Sequence, residues 1–261
     1  MSHVFPRSFR HGRWRPVLAG GLLLLQLGLA GGALAGEARI AVAANFAPAL
    51  RALTEAFEAR RGGRLAIVVG STGKLYAQIH HGAPFDALFA ADEQRPARLE
   101  REGRARPGSR FTYALGRLAL WSPEAGRVDG EGRVLREGDF RHLAIANPRL
   151  APYGLAARQA LQALGLWQRL RPRLVRGENV GQALQFVRSG NAQLGFVALS
   201  QVRRPGQAAS GSLWVVPEGL YAPVVQQALP LTDNPLAAQF LRFVRGPQGR
   251  AIIASFGYQL P

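Results

Sequence analysis

The chain contains no cysteine. Disulfide staples, thiolate metal sites and a cysteine-linked lipid anchor are therefore excluded. Lysine is nearly absent: Lys74 is the only one, so a formal net charge of +17 rests on arginine. Acidic residues are scarce, 16 against 33 basic ones, and only five histidines occur, two of them within the first 35 residues. The others are His80, His81 and His142. Neither a zinc-binding H-E-x-x-H pattern nor a G-x-S-x-G nucleophile elbow is present. The histidine pair suits a helix end, where a positive or polar group meets the negative pole of the dipole. Asp86 and Asp92 could work as paired acids, but each reads as a structural carboxylate at a strand edge. A hydrolase site would need Asp86, Asp92 and His142 to meet in one cleft. The chain is expected not to be an enzyme, and to use no cofactor and no metal cation. The arginines cluster loosely near 95–110 and 169–176, without the interleaved aromatic residues of a base-stacking surface. They describe a solvated basic surface that attracts anions, and no nucleic-acid partner is expected.

What is present is ample apolar material, 48% of 261 residues, enough for one large domain or two small ones. Residues 1–35 read as a secretory leader. Arg7, Arg10, Arg13 and Arg15 form a positive head, Val17 to Ala30 an apolar stretch too short to span a bilayer comfortably, and Ala33-Leu34-Ala35 a cleavage site. Cut after Ala35, the mature protein would be free in a periplasm, and a monomer.

The most informative stretch is Val68-Val69-Gly70-Ser71-Thr72-Gly73-Lys74-Leu75. An apolar strand, Leu65 to Val69, runs into a small polar turn and then into a helix through Ile79. Such a turn aims N–H groups and hydroxyls at one point, backed by the positive end of the helix dipole. It is not a nucleotide phosphate loop. That motif needs glycine where Val68 stands and serine or threonine where Leu75 stands.

The rest of the chain repeats the strand-to-helix pattern. Arg39–Ala44 reads as a strand, with Asn45 at a helix N-cap before Leu50, Leu53 and Phe57. Asp86–Ala91 is a third strand. After extended chain through Phe111–Ala114 and Leu118–Trp121 come a turn-rich patch, Ser122–Gly138, and a strand at His142–Ala146. Pro152-Tyr153-Gly154 makes a turn before a helix from about Leu155 to Leu164. Leu174-Val175 is a short strand, and Glu178-Asn179 caps a helix bearing Val180, Ala183, Leu184 and Val187. Strands at Leu194–Ala198 and Ser212–Pro217 follow. Tyr221–Val225 returns the chain toward its beginning, and Leu236–Val244 and Arg250–Phe256 are closing helices. Alternation of this kind predicts an α/β fold with mixed, mostly parallel sheets. Two lobes are expected, 36–118 with 223–261 and 119–222, with a cleft between them.

Four strand-to-helix turns carry donors: Ala44-Asn45, Ser71-Thr72, Pro152-Tyr153-Gly154 and Asn179-Val180. Two belong to each expected lobe. Neutral donors, each making a short charge-assisted bond, can hold a small dianion without any cationic side chain. A cage of this kind also selects by size, because an ion too small leaves buried donors unpaired. Lys74 is assigned to solvent or a supporting role, since the helix carries its side chain away from the turn.

In order and spacing, the chain resembles the periplasmic molybdate-binding proteins, the soluble component of molybdate importers. The resemblance rests on Ala41-Val42-Ala43-Ala44-Asn45-Phe46, Gly73–Ile79, Gly82–Asp92, Ala146-Asn147-Pro148 with Ala151–Gly154, Glu178-Asn179-Val180, Gly195–Ala198, and the ending Phe240–Phe243, Gly246-Pro247 and Phe256-Gly257. It implies a two-lobed type II periplasmic binding fold, molybdate or tungstate as ligand, and an ABC import permease as partner. A receptor for sulfate or another tetrahedral oxyanion is the alternative. By resemblance, the first-lobe contacts fall on Asn45 and on Ser71 or Thr72. Those of the second lobe fall on Tyr153 and on Val180 through its N–H. Some relatives have serine at the place of Asn45 and alanine at that of Tyr153. Some also use a tyrosine hydroxyl at the place of Ala198, a donor that this chain lacks; Asn45 or the Tyr153 backbone is the expected substitute.

Overall fold

The computed structural model describes residues 36–203, 206 and 210–261. The expected leader, 1–35, lies outside them. Strand β1 (Glu37–Ala43) is followed by helix α1 (Ala47–Arg61), whose buried Leu50, Leu53, Thr54 and Phe57 recur at helical spacing. Two more strand–helix units follow, β2 (Arg64–Gly70) with α2 (Thr72–His80) and β3 (Ala87–Ala90) with α3 (Gln94–Arg101). Only Arg117 separates β4 (Phe111–Gly116) from β5 (Leu118–Ser122). Next come α4 (Val134–Glu137), β6 (Leu143–Ala146), α5 (Pro152–Ala163), α6 (Trp167–Leu170) and β7 (Leu174–Gly177). After α7 (Val180–Arg188), β8 (Leu194–Ala198), α8 (Leu199–Val202) and β9 (Ser212–Val215), the chain ends with β10 (Val224–Pro230), α9 (Pro235–Arg245) and α10 (Pro247–Ser255).

The strands form two five-stranded sheets, ordered β2-β1-β3-β10-β4 and β7-β6-β8-β5-β9. Each sheet is covered on both faces. In β1, Ile40 and Val42 enter the core shared with Phe57 and Phe240 of α1 and α9, while Ala41 packs with Leu75 and Leu99 of α2 and α3. In β5, Leu118 and Leu120 face Leu161 of α5, while Ala119 and Trp121 face Leu184 and Val187 of α7. Period-two alternation divides every such strand between two cores.

Several expectations change. The sheets are mixed, but the share of parallel pairing is smaller than expected. β1–β2, β1–β3, β6–β7 and β6–β8 are parallel, whereas β10 and β5 run antiparallel to both their neighbours. These are the strands that carry the chain from one sheet to the other, and β10 reaches Pro230 where only a short return to Val225 was expected. Helix α5 begins at Pro152, so Pro152-Tyr153-Gly154 is its first turn rather than a loop before it. Proline at the first helical position loses no hydrogen bond and arrives with φ already set. Asn45 is not an N-cap. Phe46 holds that position with helical φ −92° and ψ −9°, and no side chain caps α1.

The two crossings lie side by side. Val224 pairs with Gly116, and the Leu118 N–H donates to the Tyr221 hydroxyl at 3.1 Å. Among the described residues, no helix is long and apolar enough to cross a membrane.

Candidate functional site

Three helix N-termini and one strand end come together between the two sheets. Helix α2 is capped by Ser71, whose hydroxyl accepts the Lys74 N–H at 3.4 Å. Helix α7 is capped by Asn179, which accepts the Gln182 N–H at 3.0 Å. Helix α5 starts at Pro152 with no side-chain cap. The first N–H groups of a helix have no partner within it, so the leading N–H groups of α5 and α7, at Tyr153 and Val180, are available for other acceptors. Contacts bring these turns together. Ala44 and Ala91, from the ends of β1 and β3, pack in one cluster with Tyr153 and Val180. A Cβ on Gly181, in the first turn of α7, would sit 3.4 Å from the Ala44 Cβ. The Gly73 N–H of α2 donates to the Leu150 carbonyl, just before α5, at 2.8 Å.

All seven residues singled out in the sequence therefore lie on these converging turns, with distinct local roles. Ala44 extends the sheet, donating its N–H to the Gly70 carbonyl at 3.0 Å. The Thr72 hydroxyl accepts the Ala91 N–H at 3.0 Å and keeps its own proton to donate. Asn45, Ser71, Thr72, Tyr153 and Val180 are all at most 3% exposed, and Asn179 is half-buried. Among the described residues, every buried polar side chain is uncharged.

The Asn45 amide is spent inside the protein. Its Nδ2 donates to Gln226 Oε1 at 2.7 Å and to the Tyr258 hydroxyl at 3.1 Å. With the side chain so committed, the donor left on Asn45 is its backbone N–H. A buried network continues from there. Tyr258 donates to the Asn45 carbonyl at 2.9 Å and accepts from Ser200 at 2.9 Å. The Tyr113 hydroxyl lies 3.0 Å from Gln226 Oε1 and 3.1 Å from the Ala90 carbonyl oxygen. Gln226 Nε2 donates to the Tyr153 hydroxyl at 3.4 Å. Burial raises the pKa of Tyr113, Tyr153 and Tyr258 above the ordinary phenol range, so all three stay protonated at neutral pH.

Gln226, Tyr258, Tyr113 and Ser200 were missed in the sequence. The one available signal was Gln226-Gln227 inside an otherwise apolar strand, Val224 to Leu229, which asks for buried partners. Tyr258, three residues from the end of the sequence, carries no local pattern at all.

The hydrolase constellation is not assembled. Asp86 and Asp92 stand beyond opposite ends of β3. Asp86 accepts the Arg39 N–H at 2.8 Å and the Thr232 hydroxyl at 2.7 Å, and Asp92 pairs with Arg95. His142 precedes β6, and its N–H donates to Gln193 Oε1. His80 closes α2 and pairs with Glu102 at 3.1 Å. Among the described residues, no group of three His, Asp or Glu side chains could hold a metal ion. A groove of about 280 Å³ lies beside the converging turns, between Asp92–Arg95, Pro148–Pro152 and Ala222–Val225, and shares Ala91, Ala151 and Pro152 with them.

Known proteins resemble this chain in sequence and fold. Residues 38–259 match the family model described as bacterial extracellular solute-binding protein. A molybdate-binding protein of Azotobacter vinelandii, ModA, is 46% identical over 97% of this chain and 99% of its own length. The Rhodobacter capsulatus ModA is 42% identical over 97% and 98%. A solved structure titled Azotobacter vinelandii periplasmic molybdate-binding protein superposes with a TM-score of 0.84 at 44% identity, covering 86% of this chain and 99% of that one. A sulfate-binding protein of Mycobacterium tuberculosis, SubI, superposes with a TM-score of 0.68 at 17% identity, a likeness of fold alone. With the two mixed sheets, the converging helix ends and these relatives in agreement, the chain belongs to the bacterial extracellular solute-binding protein family.

Proposed function

We propose that this protein is an extracytoplasmic receptor that binds molybdate or tungstate and delivers it to an ABC import permease. The observation that carries the reading is the convergence of the α2, α5 and α7 N-termini with the end of β1 in a buried setting whose side chains are all neutral. The names of the relatives select the ligand class.

On this reading the segments 36–118 with 223–261 and 119–222 are two lobes that close on the ion. The Ser71 and Thr72 hydroxyls and the N–H groups of Asn45, Tyr153 and Val180 surround it. Ala44 and Asn179 shape and brace the two outer turns. Each charge-assisted bond contributes about 1.5–3 kcal/mol. Several together support sub-micromolar binding after lobe closure and loss of ligand freedom are offset. The donors are neutral, so the dianion keeps its charge while giving up water for a fixed set of dipoles.

The protein acts as a monomer in the periplasm after cleavage of residues 1–35. It catalyses no reaction, carries no resident cofactor, and its arginine surface serves no nucleic acid. Titration calorimetry tests the central claim. Molybdate and tungstate should give saturating heat with a dissociation constant at or below about 1 μM, and excess sulfate or phosphate should not displace them. Tight sulfate binding without molybdate heat would overturn the assignment.

A further inference from the structure

We propose that Gly73, Lys74 and Glu178 form a latch across the mouth of the site that governs how slowly the bound oxyanion leaves. The proposal rests on the oxyanion-receptor reading above.

Three contacts join the two sides along one seam. Lys74 Nζ lies 3.1 Å from Glu178 Oε2. The Gly73 N–H donates to the Leu150 carbonyl at 2.8 Å. Arg95 Nη2 donates to the Arg149 carbonyl at 3.4 Å. Lys74 belongs to the first turn of α2, and Glu178 immediately precedes the cap of α7. The backbones of both are pinned, Lys74 N–H to Ser71 Oγ at 3.4 Å and Glu178 N–H to Gln182 Oε1 at 2.7 Å. The ion pair therefore bridges two of the turns that hold the site, and its side chains are 51% and 33% exposed, at the surface rather than within.

Gly73 supports the same conclusion. It is a helical residue whose φ is not in the left-handed region, so alanine would suit its backbone and strengthen α2. Its smallness is needed by the partner across the seam, because a Cβ there would lie 2.8 Å from the Leu150 carbonyl oxygen and 3.1 Å from its Cα.

A latch and a mere electric field make opposite claims about Glu178. If the two charges acted only at long range, removing a negative charge near a dianion would tighten binding. A latch requires Glu178→Gln to weaken binding, by speeding release rather than slowing capture. Off-rates for molybdate would be measured by stopped-flow displacement with excess tungstate, with affinities from calorimetry. Glu178→Gln and Lys74→Gln should each raise the off-rate roughly two- to fivefold, as fits a partly exposed pair. The exchanged pair, Lys74→Glu with Glu178→Lys, should restore it toward wild type. Gly73→Ala should raise it on the order of tenfold through overlap with Leu150, with an unliganded melting temperature no lower than wild type.

Tighter binding by Glu178→Gln, an unchanged off-rate, or an exchanged pair that fails to recover overturns the latch while leaving the receptor intact. A wild type that gives no molybdate heat overturns the receptor reading, and the latch with it.

Discussion

Asn45 sits on one of the converging turns, yet its side chain is spent within the protein. Both Nδ2 protons are committed, to Gln226 and to Tyr258, and its carbonyl accepts the Tyr258 hydroxyl. Asn45→Ala leaves Gln226 Oε1 and the Tyr258 hydroxyl short of a buried donor, so unfolding in urea should show a loss of about 1–3 kcal/mol. Ser71 has a smaller internal role, since its capping bond is long at 3.4 Å, and its hydroxyl proton remains to donate. Asn45→Ala and Ser71→Ala together should weaken molybdate binding at least about tenfold, or 1.4 kcal/mol. Unchanged affinity in that double variant would mean the ion sits elsewhere.

At the scale of elements, α2 and α3 are tied together away from the site. The Glu102 carboxylate accepts from Arg98 Nε at 2.7 Å, from the Tyr76 hydroxyl at 2.9 Å and pairs with His80 at 3.1 Å. The Arg98 bond is the main reason its carboxyl titrates at about 2 rather than 4.5, with the Tyr76 and His80 bonds adding to it against some desolvation. A carboxyl held below its unfolded value stabilises the fold at neutral pH and loses that contribution as pH falls from 4.5 toward 2. Glu102→Gln should therefore lower stability at pH 7, with a difference from wild type that shrinks through this interval. Melting curves of the two proteins at matched pH values would show it. The donors proposed for the oxyanion are other groups, so molybdate affinity at pH 7 should be unaffected.

Across the whole molecule, the two crossings and the buried tyrosines decide how the sheets are held. A Cβ on Gly116 would overlap the Tyr153 hydroxyl and lie 2.5 Å from Gln226 Nε2, at the point where the chain passes from β4 to β5. Gly116→Ala should destabilise the protein by about 1–3 kcal/mol and weaken molybdate binding. Tyr153→Phe in the same chain should recover part of the stability by removing the overlapped oxygen. Tyr113, Tyr153 and Tyr258 share a raised pKa through desolvation. A phenol that holds its proton more tightly when folded stabilises fully below its unfolded value of 10.0 and loses that contribution as pH rises beyond it. Alkaline titration should thus show tyrosinate absorbance from these residues appearing together with unfolding rather than before it.

Much of this was legible in local chemistry. The strand-to-helix alternation, the Asn179 cap and the polar turns follow from hydrophobic period and hydrogen-bonding groups within a few residues, which is what a one-dimensional pattern records. The antiparallel course of β10, the inward turn of the Asn45 amide and the meeting of Tyr258 with Ser200 were decided only in three dimensions. They join positions 58 to 213 residues apart, and a buried polar group takes whichever partner the packed fold brings within about 3 Å. The sequence alone set which turns carry small polar residues; the packing of the two helix-covered sheets decided which of their donors were spent within the protein and which remained free.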